Sequence, residues 1–394
     1  MAESVIVAGA RTPNGKFMGG FAEVSAQDLG ASAIKAALDR ATVDPGVIDY
    51  VIMGQVLQAG QGQITARVAA TKAGIGMSIP AITINKVCLS GINAIALADQ
   101  LIRAGEVTTV VAGGMESMTR TPYAVPSART GARMGNAEQV DLMIHDGLWC
   151  AFDHTHMGEG TDIMNTKLGI SRLEQDEWAA RSHERAADAA KAGRLADEIS
   201  AVEVQQRKAE ALLVEEDEGI RPGTTVESLA KLRPAFTKDG TITAGNASQI
   251  SDGAAAVIVT SKENAEKNGW PVLATILGHG MVAGPGDASL PDQPANAIRK
   301  VAEKLGQDPS GFDLYEINEA FASVAIRSTK QLGVSEDKVN VNGGAVALGH
   351  PIGASGARLV LTTAHELQRR GGGVGVAALC GGGGQGDALL IRVN

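Results

Sequence analysis

Aromatic residues and cysteine are both scarce in this 394-residue chain: Phe (6), Tyr (3) and Trp (3) make up 3 % of it, and there are three cysteines. With so few rings, a core must be built from Ala, Val, Ile and Leu, with elements packed closely over the 49 glycines. Three cysteines in a chain of this size exclude a disulfide framework and read as free thiols in a reducing compartment. No apolar run is long enough to span a bilayer, so no membrane partner is expected. The formal net charge of −9 argues against a general nucleic-acid surface, although a local basic patch still suffices for an anionic small substrate. Val5-Ile6-Val7-Ala8 is already a buried-strand pattern, with no signal or transit peptide before it, so a cytoplasmic location is expected.

The first and last thirds share a layout. Strand-like runs Asp49 to Gly54 and Asp313 to Asn318 are each followed by a second short strand, Ala81 to Asn85 and Val339 to Asn342. A Ser-Gly turn follows each, Cys88-Leu89-Ser90-Gly91 and Gly353-Ala354-Ser355-Gly356, and opens an apolar helix, Ile92 to Ala104 and Ala357 to Arg369. Each helix leads to a strand ending in glycine, Val110 to Gly114 and Val376 to Gly381. This order predicts parallel βαβ units covered on both faces, in two duplicated halves of a layered α/β fold.

The middle differs. From about Thr119 to Gly245 the chain is polar and charged, which reads as an inserted loop domain. Leu173 to Ala192 predicts a helix with a Ser171/Glu174 capping box, and Glu215-Glu216-Asp217-Glu218 a solvated turn. Ile250 to Val259 returns to buried helix and strand. The expected division is 1–120 with 245–271 as the N-terminal half, 121–244 as the insertion and 272–394 as the C-terminal half.

Two of the three cysteines lie at turns beside apolar runs. Cys88 precedes a helix, where free N–H groups and the helix dipole favour a thiolate able to attack a thioester or ketone carbonyl; a small buried residue at a turn is its other reading. His350, in Gly349-His350-Pro351, suits a base for that thiol or a donor to a carbonyl oxygen, and otherwise a structural histidine. Cys380 opens a run of four glycines whose N–H groups suit an oxyanion hole; a tight turn needs only one or two of them. Asn318 can hold a water or carbonyl, or cap the following helix. Cys150 reads as an unremarkable thiol, and His145, His154 and His156 near it lack zinc spacing, so no metal is expected.

Together these motifs resemble the thiolase family along almost the whole chain: Ala10-Arg11-Thr12-Pro13, Asn85 to Gly91, Gly113 to Met118, His156-Met157-Gly158, Ala244 to Ser248, Asn318 to Ala322, Asn340 to Gly356 and Cys380 to Gly384. The resemblance implies two similar five-stranded α/β halves plus a loop domain. It also implies that Cys88 accepts the acyl group, and that His350 activates it and forms one oxyanion hole with a water held by Asn318. Cys380 becomes the acid/base at the substrate α-carbon, and the N–H groups of Cys88 and Gly382 form a second hole. Ser248, Ala244, His156, Met157 and Phe236 are expected along a pantetheine tunnel, with Arg221 at the nucleotide end. Coenzyme A (CoA) and its thioesters are then substrates and no cofactor is required. The segment from about Tyr123 to Val140 resembles the loop that joins dimers into homotetramers.

The implied reaction is reversible Claisen condensation of two acetyl-CoA to acetoacetyl-CoA, since His156-Met157-Gly158 resembles the short-chain members. A broader 3-ketoacyl-CoA thiolase is the alternative. A ketoacyl synthase fits less well, because that class generally uses Cys with two His, or with His and Asn, rather than a second Cys, and a non-catalytic acyl-CoA carrier usually lacks one of these groups. Leu89 stands where a small residue is common, Gly381 where a β-branched one is, and Gln385 where Met is; residues 281–294 also look atypical. Arg129, Arg133, Arg207, Lys208, Arg221, Lys231 and Arg233 are available for an anionic substrate, a solvated surface being the simpler reading for most.

Overall fold

The computed structural model describes residues 3–206 and 210–394, so Arg207 and Lys208 lie outside the described residues. Strands follow one another across the main sheet in the order Leu314–Ile317, Gly373–Gly381, Gln385–Val393, Ala274–Ala283, Ser4–Arg11, Ser251–Ser261, Thr109–Ser117, Tyr50–Gly54 and Ala81–Ile84. Gly15–Lys16 pairs with the start of Ser251–Ser261. Two halves meet at a short seam, where Val5 pairs Thr275 and Ile6 pairs Ala274. The βαβ expectation holds at the outer strands: Tyr50–Gly54 runs parallel to both its neighbours, and Leu314–Ile317 parallel to Gly373–Gly381. The inner pairings are antiparallel, so the sheet is mixed. One cause is the tight turn at Gly383 (φ 78°) and Gly384 (φ 66°), which can only return the chain antiparallel.

Helices form layers around this sheet. Ser90–Ala104 and Ser355–Arg369 pack on each other and on strands of both halves, so they lie in the middle. Leu89, Ile92, Ile95, Leu359, Val360, Leu379 and Leu389 belong to the apolar core around them. Ala26–Ala41 and Thr65–Lys72 cover one outer face, and Gln293–Leu305 with Ala322–Leu332 the other. Against the expectation that no apolar run is long enough to span a bilayer, one helical stretch among the described residues, Val87–Ala104, meets that length and composition; it is this mostly buried central one, apolar because it packs in the core. The two central helices touch through glycine. A Cβ on Gly91 would lie 2.8 Å from Ala357 N, and one on Gly356 would lie 2.4 Å from Ile92 N. This reciprocal contact is the structural counterpart of the repeated Ser-Gly turn, and it brings the two helix N-termini together.

Several expectations need correction. Ile250 to Val259 contains no helix; Ser251–Ser261 is one buried strand, hydrogen-bonded on both sides. Val339 to Asn342 is not a strand but a single bridge from Val339 to Tyr315. There Asn340 turns left-handed (φ 49°), and its side-chain amide takes over the ladder, accepting from Ile317 N and donating to Ile317 O, both at 2.8 Å. The acidic run is not wholly solvated: Asp217 is buried. Its carboxylate takes Arg11 Nη1 and Nη2 at 2.7 and 2.9 Å and Asn14 N at 2.7 Å, while Glu198 takes Arg11 Nε at 2.7 Å. The helix Arg172–Lys191 carries the Ser171/Glu174 capping box as expected.

Candidate active site

Cys88, His350 and Cys380 line a single cavity of about 520 Å³, together with Gly382, Ser248, Ala244, His156, Met157, Phe236 and Arg221. Residues some 290 positions apart meet here, where the two central helices touch at their N-terminal glycines.

Cys88 sits two residues before the helix Ser90–Ala104, on a turn held by its own side chains. Asn85 Oδ1 accepts from Val87 N at 2.9 Å, and Ser90 Oγ accepts from Lys86 N at 2.8 Å and donates to Val87 O at 2.7 Å. These bonds hold Val87 at φ 50°, a conformation that costs a β-branched residue energy and needs such support. The expected low thiol pKa is not found. Burial pushes Cys88 up to about 12, and its own N–H and that of Gly382, both directed at the sulfur, offset this only in part. Two N–H dipoles return less than the solvation a thiolate loses there.

His350 has one defined tautomer. Its Nδ1 is 2.6 Å from Ser355 Oγ, which itself donates to Pro351 O at 2.9 Å. With the hydroxyl proton so used, Nδ1 carries the ring proton and donates to Ser355. Nε2 is then a lone pair, 3.3 Å from Asn318 Nδ2. Burial, aided by the nearby Arg358 charge, lowers His350 to about 3, so the ring is neutral and its Nε2 lone pair is free to accept a hydrogen bond. The loop after it is fastened by buried Glu116, whose carboxylate accepts from Gly353 N (2.9 Å), Val56 N (3.0 Å) and Leu57 N (3.1 Å). Burial raises Glu116 to about 7 despite these bonds.

Cys380 is buried on Gly373–Gly381, and its thiol is pushed up by burial and then by neighbouring Cys88. Asn318 follows Leu314–Ile317, anchored by its N–H to Ala378 O at 2.9 Å. It is no helix cap, since Phe321 occupies that position for Ala322–Leu332. Its Oδ1 is buried without a partner, which suits a bound water. Next to it, the Glu319 carboxylate accepts from Trp178 Nε1, Ser182 Oγ and Asn340 Nδ2, each at 2.8 Å, and Val346 N at 3.1 Å, fixing this corner.

The rest of the cavity is an apolar channel. His156 stacks on Phe236 (centroids 4.6 Å apart, 26° between planes), and Phe236 meets Phe321 edge-on at 6.1 Å. His156 Nδ1 accepts from Gly158 N at 3.1 Å, which leaves the proton on Nε2 as a donor. Ser248 is held by its N–H to Ala320 O at 3.1 Å. Of the basic residues proposed for an anion, Arg221 reaches the cavity. Arg129, Arg133, Lys231 and Arg233 are exposed and outside its lining. Lys16 lines it too and was missed, because nothing in its local sequence distinguishes it from surface lysine. Glu116 and Ser355 were also missed as supports, although both stand in quoted motifs. Cys150 accepts from Asp153 N at 3.4 Å. His145 pairs with Asp146, and no metal-ligating cluster occurs among the described residues.

Such a site gathers two thiols and a neutral imidazole in one cavity, with N–H donors at the Cys88 sulfur: the parts for acyl transfer through a covalent thioester. Comparison with known proteins agrees. Family profiles for "Thiolase, N-terminal domain" and "Thiolase, C-terminal domain" match residues 4–263 and 270–393. The "Probable acetyl-CoA acetyltransferase" of Mycolicibacterium smegmatis is 58 % identical over 388 residues, covering 98 % of this chain and all of that one. The "Acetyl-CoA acetyltransferase" of Pseudomonas aeruginosa is 50 % identical over 99 % of both chains. The crystal structure of the Bacillus anthracis acetyl-CoA acetyltransferase superposes with a TM-score of 0.95 at 40 % identity, covering 100 % of this chain and 99 % of that one. With both halves matched and relatives this similar along the whole chain, this chain belongs to the thiolase family of acyltransferases.

Proposed function

We propose that this protein is an acetyl-CoA acetyltransferase, interconverting two acetyl-CoA with acetoacetyl-CoA and CoA through acetyl-Cys88. The observation that carries this reading is the meeting of Cys88, His350 and Cys380 in one apolar channel, with His350 presenting an unprotonated Nε2. Cys88 Sγ attacks the acetyl carbonyl as its proton passes to His350 Nε2. CoA leaves with the proton of Cys380, and the site then holds acetyl-Cys88, an imidazolium and the Cys380 thiolate. That thiolate removes a proton from the methyl carbon of a second acetyl-CoA, while the imidazolium and an Asn318-held water stabilise the enolate oxygen. The enolate carbon attacks acetyl-Cys88, whose oxyanion meets the N–H groups of Cys88 and Gly382. Collapse frees Cys88, which regains its proton from His350, and the cycle balances.

Ser248, Ala244, His156, Met157 and Phe236 line the path of the pantetheine arm, with Lys16 and Arg221 at the phosphates. We place the protein in the cytoplasm, in lipid metabolism. We also propose a homotetramer built through the exposed segment between Tyr123 and Val140, whose ends pair as a small hairpin. The division 1–120 with 245–271, 121–244 and 272–394 fits this scheme, the insertion supplying much of the CoA channel.

Thiolysis of 3-ketoacyl-CoA esters of increasing chain length tests the reading. Activity confined to acetoacetyl-CoA supports it. Equal or better rates with long chains reassign the protein as a broader 3-ketoacyl-CoA thiolase, and no activity with reduced Cys88 reassigns it as a carrier.

A further inference from the structure

Lys86 and Asp387 stand 301 residues apart in sequence and form a two-pronged ion pair, Lys86 Nζ lying 2.8 and 3.0 Å from the two carboxylate oxygens. Asp387 is fully buried, and the Lys86 side chain is 21 % exposed. Asn93 Nδ2, on the central helix, adds a bond to Asp387 Oδ2 at 3.3 Å. His279 Nε2 is 3.7 Å from the same oxygen and has no hydrogen-bond partner. The reaction outlined above uses none of these four residues.

Their placement is specific. Lys86 lies two residues before Cys88, in the turn that carries the strained Val87. Asp387 lies on Gln385–Val393, paired in register with Leu379, and the next pair in the ladder is Gly386 with Cys380. The ion pair therefore ties the turn bearing one thiol to the hairpin bearing the other, across the boundary between the two halves. Its stability contribution does not explain it: a buried pair loses in desolvation much of what it gains in attraction, and apolar residues of similar size hold such positions equally well. What a lysine ammonium seated between both oxygens of a buried carboxylate supplies instead is a defined separation between the two segments.

We infer that the Lys86–Asp387 pair is a positioning device for the carbon–carbon bond-forming step, setting acetyl-Cys88 against the Cys380 base. This rests on the reaction proposed above. Acylation of Cys88 needs only Cys88, His350 and the incoming thioester. Condensation also needs Cys380, the enolate and the acetyl carbonyl held in line, and it is the step that an error in placing the two thiols harms.

The test compares half-reactions in Lys86→Met/Asp387→Leu, which removes both charges together. Asp387→Asn is the milder companion, should the double variant fail to fold. Single-turnover acetylation of Cys88 by acetyl-CoA is followed by intact mass, and condensation by steady-state kinetics. Acetylation within about threefold of wild type, with a condensation kcat lowered about tenfold or more and KM little changed, is expected for the double variant. Asp387→Asn should show the same split to a smaller degree. Wild-type condensation in both the double variant and Asp387→Asn overturns the inference, and so does an equal fall in both half-reactions. Failure of the wild-type protein itself to form acetyl-Cys88 overturns the proposed function, and this inference with it.

Discussion

Leu89 fills the space that a side chain on residue 381 would occupy. A Cβ built on Gly381 lies 2.6 Å from Leu89 Cγ and 2.9 Å from Cδ1. Leu89 follows the nucleophile on one half and Gly381 follows Cys380 on the other. Two departures from the commoner thiolase pattern, a large residue for a small one and glycine for a β-branched one, are thus one exchange of volume across a single contact. Gly381→Val should destabilise the fold by about 1–3 kcal/mol through overpacking, and Leu89→Ala added to it should restore part of the loss. Urea unfolding of the two singles and the double measures this; additive losses would show that the residues do not share the space.

Arg11 is a fully buried guanidinium paired with two buried carboxylates. Its guanidinium neutralises Glu198 and Asp217 together, with the side chains of all three at most 1 % exposed. Arg11→Met leaves two buried carboxylates facing each other, and a loss of about 3–5 kcal/mol is expected from equilibrium unfolding. A change under about 0.5 kcal/mol, the size typical of a surface substitution, would contradict the network.

The resting site holds a neutral thiol and a neutral imidazole, since burial pushes Cys88 to about 12 and His350 to about 3. Alkylation of Cys88 by iodoacetamide should climb about tenfold per pH unit up to about pH 9, without a plateau. A plateau near neutral pH would mean a standing thiolate–imidazolium pair. Unfolded His350 binds its proton near pH 6.5, and the folded ring does so only near 3. Its contribution to stability is therefore complete above about pH 6.5 and is lost as pH falls through that window. Ser355→Ala removes the acceptor that fixes the tautomer, and kcat should fall about tenfold while binding of CoA is kept.

Lys16 and Arg221 line the same cavity, and the reading places both at the CoA phosphates. Lys16→Glu should raise KM for acetoacetyl-CoA about tenfold at low salt with kcat little changed, and the effect should shrink at high salt. With an acetoacetyl thioester ending at the pantetheine, which carries no phosphate, the variant should match wild type. Equal impairment with both substrates would remove Lys16 from the phosphate site.

What could be read from the sequence followed from local signals. Ser-Gly turns, glycine ends and apolar runs mark the repeated elements, and separated motifs bring Cys88, His350, Cys380 and Asn318 to attention. Relationships between distant segments were not legible. Nothing in Glu215 to Glu218 says that Asp217 is buried against Arg11, because that burial comes from a segment about 200 residues earlier. The Val339 strand failed because Asn340 replaces ladder bonds with its side chain, a choice invisible to periodicity. The raised Cys88 pKa was missed for a related reason: helix position was legible, but the enclosure that outweighs it was not.

The most direct test of the whole account is the mass of the protein after brief mixing with acetyl-CoA, followed by a chase with fresh acetyl-CoA. Wild type should carry one acetyl group on Cys88 and lose it as acetoacetyl-CoA appears, Cys88→Ala should carry none, and Cys380→Ser should carry it but discharge poorly. Acetylation persisting in Cys88→Ala, or discharge at the wild-type rate in Cys380→Ser, would contradict the roles assigned to the two thiols.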